Sequence, residues 1–121
     1  MGPVALALAV IGLVAAGCLV AHLVVLTIKW LINKIKEKLD AKNAKKVAVA
    51  DLEKLISECD NTMSVDELDN YVDQGYSHVM VEVDDNNKIV GDIEIYGDEN
   101  GNLDEEVQEL LGRKGMVVVE A

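Results

Sequence analysis

The chain has 121 residues with 11 Lys or Arg against 22 Asp or Glu, a net charge of −11. The charge is segregated: residues 1–28 carry none, residues 29–46 hold seven lysines against Glu37 and Asp40, and residues 47–121 hold four basic side chains against 20 acidic ones. This excludes a uniform globular domain and disfavours nucleic acid as a partner, because the acidic part repels phosphates. It also leaves too little chain for a two-lobed enzyme.

The 26 residues from Pro3 to Ile28 are apolar except for Cys18, His22 and Thr27. A bilayer core needs about 20 apolar helical residues, so residues 1–28 read as a transmembrane helix. No lysine precedes the run, which argues against a cleaved signal peptide. Ala15-Ala16-Gly17-Cys18 resembles a lipobox, but the apolar run continues beyond the cysteine. The lysines that follow place the N-terminus outside and the rest in the cytoplasm, at the plasma (inner) membrane, by the positive-inside rule. Ala5, Ala9, Gly12 and Ala16 are spaced 4, 3 and 4 apart. Such a stripe of small residues allows close helix packing and hence a homo-oligomer. Cys18, His22 and Thr27 are the polar groups of the span, and Cys18 with His22 makes only half a metal site.

Residues 29–46 read as a basic amphipathic juxtamembrane helix or stalk. Ile28, Leu31, Ile32, Ile35 and Leu39 share one helical face, while Lys29, Lys34, Lys36 and Lys38, with Trp30, suit a membrane surface.

Residues 47–121 read as a small acidic α+β domain of order α-α-β-β-α-β with a three-stranded mixed sheet. A helix is expected around Val49–Glu58. Ser64 with Glu67 forms a capping box for a second helix, which Gly75 ends. His78–Val83 and Ile89–Tyr96 alternate as strands about the polar turn 84–88. Asn102 with Glu105 opens a helix to Leu111, and Met116–Glu120 is a final strand. The fold class is therefore a single-pass transmembrane helix plus a small cytoplasmic α+β domain.

The domain shows no nucleophile motif, phosphate loop or zinc spacing, so no enzyme, cofactor or metal is expected. Asp98, Asn100, Asn102 and Glu109 have EF-hand spacing, but Leu103 stands where the calcium loop needs glycine. Glu82, Asp92 and Glu94 could meet a basic partner from one sheet face. Arg113 and Lys114 are the local basic spot. The function these features suggest is a membrane-anchored, self-associating, non-enzymatic protein whose acidic domain is an interaction or sensing module, with the lipid bilayer and a protein partner or small signal as partners. The alternative is an oligomeric membrane effector that opens or disrupts the membrane on a cytoplasmic signal, as defence or toxin-like proteins do.

Overall fold

The computed structural model describes residues 19–40, 46–58, 66–86, 88–102 and 104–120. Five strands form one mixed sheet: β1 (Leu19–Val24), β2 (Lys46–Asp51), β3 (His78–Val83), β4 (Ile89–Asp98) and β5 (Met116–Glu120). Four helices join them: α1 (Ile28–Leu39), α2 (Leu52–Ser57), α3 (Asp66–Asp73) and α4 (Glu105–Leu111). The strand order is β1-β4-β3-β2-β5. Only β1 and β4 are parallel neighbours; the other pairs are antiparallel.

Alternation along the strands divides the core into two layers. Ala48, Ala50, Val79, Val81, Val83, Ile93 and Ile95 face Leu52 and Leu55 of α2 and Leu68 of α3. Val47, Val49, Met80 and Tyr96 face Leu31 and Ile35 of α1 and Val107 and Leu111 of α4. The sheet is thus covered on both faces, which is why β2 and β3 read as nearly unbroken apolar runs.

This architecture corrects the fold expected from the sequence. The sheet has five strands rather than three. The apolar run does not continue as a helix through residue 28, because Leu19–Val24 pairs with Ile93–Asp98 as an edge strand. Among the described residues, no helix is long and apolar enough to cross a membrane. The single-pass assignment, and the plasma-membrane placement and orientation derived from it, lose their basis. A buried sheet can satisfy an uncharged apolar run as well as a bilayer can, and composition does not separate the two.

Thr27 breaks the run. Its Oγ1 accepts the Trp30 amide at 3.2 Å and caps α1. The apolar stripe of α1 then seats on the sheet, with Leu31 and Ile35 only 1% and 4% exposed. The helix expected from Val49 starts instead at Leu52, with Asp51 as its cap. Alanine-rich Val47–Ala50 favours a helix locally, but pairing with β3 on one side and β5 on the other makes it an interior strand. α4 is capped by Asp104 rather than Asn102. Ser64, Cys59 and Leu103 lie outside the described residues.

Candidate functional site

Strands β1, β2 and β4 run in one direction, so their carboxyl ends lie at one end of the sheet, where β3 begins. In α/β sheets, ligand clefts form at such ends because the connecting loops diverge there. A cleft of about 380 Å³ opens at this point, lined by Asp51, Glu53, Val72, Gly75, Tyr76, Ser77 and Gln108. A shallower recess of about 350 Å³ shares Asp51 and Glu53. Another of about 150 Å³ shares Gly75 and Ser77 and extends to Asp98 and Asn102. The hollow beneath Lys54 and Gly115 holds only about 10 Å³, room for one water at most.

Main-chain bonds fix the wall of the cleft. The Ser77 amide donates to the Tyr96 carbonyl at 2.9 Å, and the Ser77 carbonyl accepts the Leu52 amide at 2.8 Å. The start of β3 is therefore tied to both β4 and the start of α2. Behind Ser77 lies His78, 1% exposed. Its Nδ1 is 2.7 Å from Ser77 Oγ, and its Nε2 is 3.4 Å from the Gln108 side-chain amide. A neutral imidazole offers one donor and one acceptor, which a hydroxyl and an amide can match. Burial pushes the His78 pKa below its ordinary value, and the charge of Asp51 opposes this only in part. Asp51 lies opposite His78 in the β2–β3 ladder, but its Oδ1 accepts the Lys54 amide at 3.1 Å. It acts on the imidazole through charge.

The residues singled out in the sequence fall elsewhere. Ala5, Ala9, Gly12, Ala16 and Cys18 lie outside the described residues. His22 is exposed on β1 and stacks on Tyr96 at 5.5 Å, while Trp30 meets the same ring edge-on at 4.9 Å. Lys29 and Lys36 are exposed on α1, and Lys34 pairs with Glu37 at 3.7 Å. Lys38 reaches down to the sheet, 2.8 Å from Glu94 and 3.7 Å from Glu82. The basic group that meets these two carboxylates is thus the chain's own α1. Asp92 is exposed beside Gly91, where the β3–β4 register shifts. Arg113 and Lys114 are exposed after α4, and the Arg113 carbonyl accepts Lys54 Nζ at 3.3 Å.

A second polar group lies under α1. Tyr96 donates its hydroxyl hydrogen to Glu94 Oε2. Burial, then the bond to Glu94 and its charge, push the phenol well above its usual range. Burial alone would raise the Glu94 carboxyl, but hydrogen bonds from Lys38 and Tyr96, with the lysine charge, hold it below its ordinary value.

Among the described residues, no three His, Cys, Asp or Glu side chains are placed to hold a metal ion. The Asp98 carboxylate accepts the amides of Leu26, Asn100 and Asn102, so the spacing that resembles a calcium loop serves a turn.

The cleft residues Asp51, Glu53, Ser77 and Gln108 carry no motif. They come from three separate segments, and only the pairing of β2 with β3 and the return of α4 bring them together. Comparison with known protein families, with curated proteins and with solved structures finds no match to this chain.

Proposed function

We propose that this chain is a non-catalytic interaction module that recruits a basic protein segment to the cleft at the strand ends. The observation that carries the reading is the cleft itself, about 380 Å³, with Asp51, Glu53 and Tyr76 in its lining. Complementary charge steers association and suppresses wrong partners, and the acidic residues 47–121 supply that field over the whole domain. His78 supports binding rather than turnover, because it is sealed behind Ser77 with both nitrogens engaged.

The test is a titration of the full chain with an arginine-rich peptide, followed through backbone amide shifts. Saturable changes at Glu53, Tyr76, Ser77 and Gln108 are expected, and Glu53→Gln should weaken binding by about 3- to 10-fold. Shifts spread evenly over the acidic surface and unaffected by Glu53→Gln would overturn the reading.

Acyl transfer is a second reading, favoured by the 2.7 Å contact between Ser77 Oγ and His78 Nδ1 at the cleft wall. It requires a p-nitrophenyl acetate burst that disappears in Ser77→Ala.

A further inference from the structure

Three hollows at the strand ends adjoin through shared walls. The cleft of about 380 Å³ shares Asp51 and Glu53 with the recess of about 350 Å³, and Gly75 and Ser77 with the one of about 150 Å³. Together they form one groove across the ends of β2, β3 and β4, which are neighbours in the sheet. The register gives its span. Asp51 lies opposite His78 and His78 opposite Tyr96, so Asp51 and Tyr96 are two strand spacings apart, about 10 Å. Asp98 stands two residues beyond Tyr96, about 7 Å farther along β4. The Cα atoms of Asp51 and Asp98 are therefore about 12 Å apart.

The floor of the groove takes no further strand. The Ser77 amide and carbonyl are bonded to Tyr96 and Leu52, so an occupant is held through its side chains. At the waist, nothing lies within 4 Å of the place a Gly75 Cβ would take, which lets another main chain pass close by. Carboxylates mark both ends, with Asp51 and Glu53 at one and Asp98 at the other. Among the described residues, no lysine or arginine forms an ion pair with any of the three. Lys54 also lines the groove, but its Nζ donates to the Arg113 carbonyl at 3.3 Å.

We propose that the recruited segment lies extended across β2, β3 and β4 and presents two cationic side chains four residues apart, one to Asp51 and Glu53 and one to Asp98. The inference rests on the reading of the cleft as a site for a basic segment, and adds the conformation and spacing. An extended chain advances about 3.3 Å per residue, and successive side chains point to opposite faces. Two side chains aimed into one groove are therefore an even number of residues apart. A separation of two spans about 7 Å, six about 20 Å and four about 13 Å, and only the last matches the groove. The hollow at Asp98 has the volume of about five waters. That is room for one long side chain and not for a helix about 10 Å across. The Asp98 carboxylate keeps its bonds to the amides of Leu26, Asn100 and Asn102, so the second cation meets its charge and adds a modest gain.

The experiment titrates the full chain, followed by amide shifts, with Gly/Ser peptides of constant length carrying one arginine, or two at separations from two to eight. Separation four should bind about three- to fivefold more tightly than three, five or a single arginine. It should shift Gly101 and Asn102 together with Glu53 and Tyr76. Asn102→Lys sets a cation at the Asp98 end and keeps the main-chain amide that Asp98 accepts. It should erase the preference for four. Single-arginine affinity should stay within about twofold, because about 12 Å exceeds the screening length of about 8 Å. Asn102→Gln should keep the preference. Equal affinity at every separation, or a preference that survives Asn102→Lys, would sink the two-ended groove and leave a basic-segment site at Asp51 and Glu53. A preference for seven or eight would mean a helical occupant and equally overturn the proposal. No saturable binding of any peptide would instead take down the basic-segment reading itself, and this inference with it.

Discussion

Asp98 Oδ2 accepts the Leu26 main-chain amide at 2.9 Å, across 72 positions of sequence. Asp104 Oδ2 does the same for Ile28 at 3.0 Å, and the Glu99 amide donates to the Val24 carbonyl at 2.8 Å. The link between β1 and α1 turns sharply, and its amides would otherwise lack partners. Two carboxylates of the acidic segment therefore fasten the uncharged segment in place.

This relationship predicts an acid-sensitive clasp. Bonds from the amides of Leu26 and Asn100, against an opposing effect of desolvation and with a further bond from Asn102, hold the Asp98 carboxyl below its ordinary value of 3.8. Stability from this group is present above that value and is lost as pH falls through the lower, folded one. Asp98→Ala should lower the melting temperature at neutral pH, flatten the acid limb below about pH 4, and speed hydrogen exchange at Leu26. Asp104→Ala removes the α4 cap as well as the Ile28 contact, and should cost about 1–2 kcal/mol in urea unfolding.

Lys38 yields a second expectation. Its side chain is 13% exposed and that of Glu94 is 22% exposed, so removing the lysine strands carboxylates partly out of water. Lys38→Met should destabilise by about 1–3 kcal/mol, less than for a fully buried pair because some solvent reaches the site. The Glu94 carboxyl should then titrate at a higher pH. Adding Glu94→Gln should recover part of the loss, and a double-mutant cycle measures the coupling. Equal losses in single and double variants would mean that the loss does not arise from the Glu94 carboxylate left without the lysine charge.

Several elements were legible from residue pattern. The period at Ile28, Leu31 and Ile35, and the alternation over His78–Val83, specify which side chains go inside wherever that inside is. The destination of the apolar run was not legible. A continuous apolar segment has one composition whether it meets lipid or another strand, and the pairing of Leu19–Val24 with Ile93–Asp98 lies some 70 residues away. Thr27 ahead of the period that begins at Ile28 was the available signal, a helix cap at the end of the supposed span, just before the juxtamembrane helix. Glu82 and Glu94 looked free for a partner because sequence alone does not show that α1 folds back over them. The cleft was invisible for a related reason: Asp51 and His78 become neighbours only through the β2–β3 register.

Gly97 marks a close approach of two chain segments. A Cβ built there would meet the Gly75 carbonyl oxygen and the Tyr76 Cα. These are backbone atoms just before Ser77, whose amide is bonded to the Tyr96 carbonyl, so they cannot swing aside as a flexible side chain would. Gly97→Ala should destabilise by about 1–3 kcal/mol and shift the Tyr76 and Ser77 amide resonances, which report on the cleft wall. Retained stability with unshifted resonances would show that the two segments part at little cost.

His78 makes the cleft wall sensitive to mild acid, and the sign follows from its burial. The folded chain holds the imidazole neutral, with a pKa below 6.5, while the unfolded chain titrates near 6.5. Above that value the group does not oppose folding. As pH falls below it, the unfolded state takes up a proton that the folded state refuses, and stability declines until pH passes the folded value. The melting temperature should therefore drop as pH falls below about 6.5. Gln108→Glu places a carboxylate beside Nε2, where the amide now lies 3.4 Å away, and opposite charge favours the imidazolium. That variant should raise the folded pKa, seen in the imidazole carbon-bound proton shifts, and reduce the loss of stability over the same interval. If Gln108→Glu shifts neither the titration nor the pH dependence of melting, His78 is not the group that responds to acid.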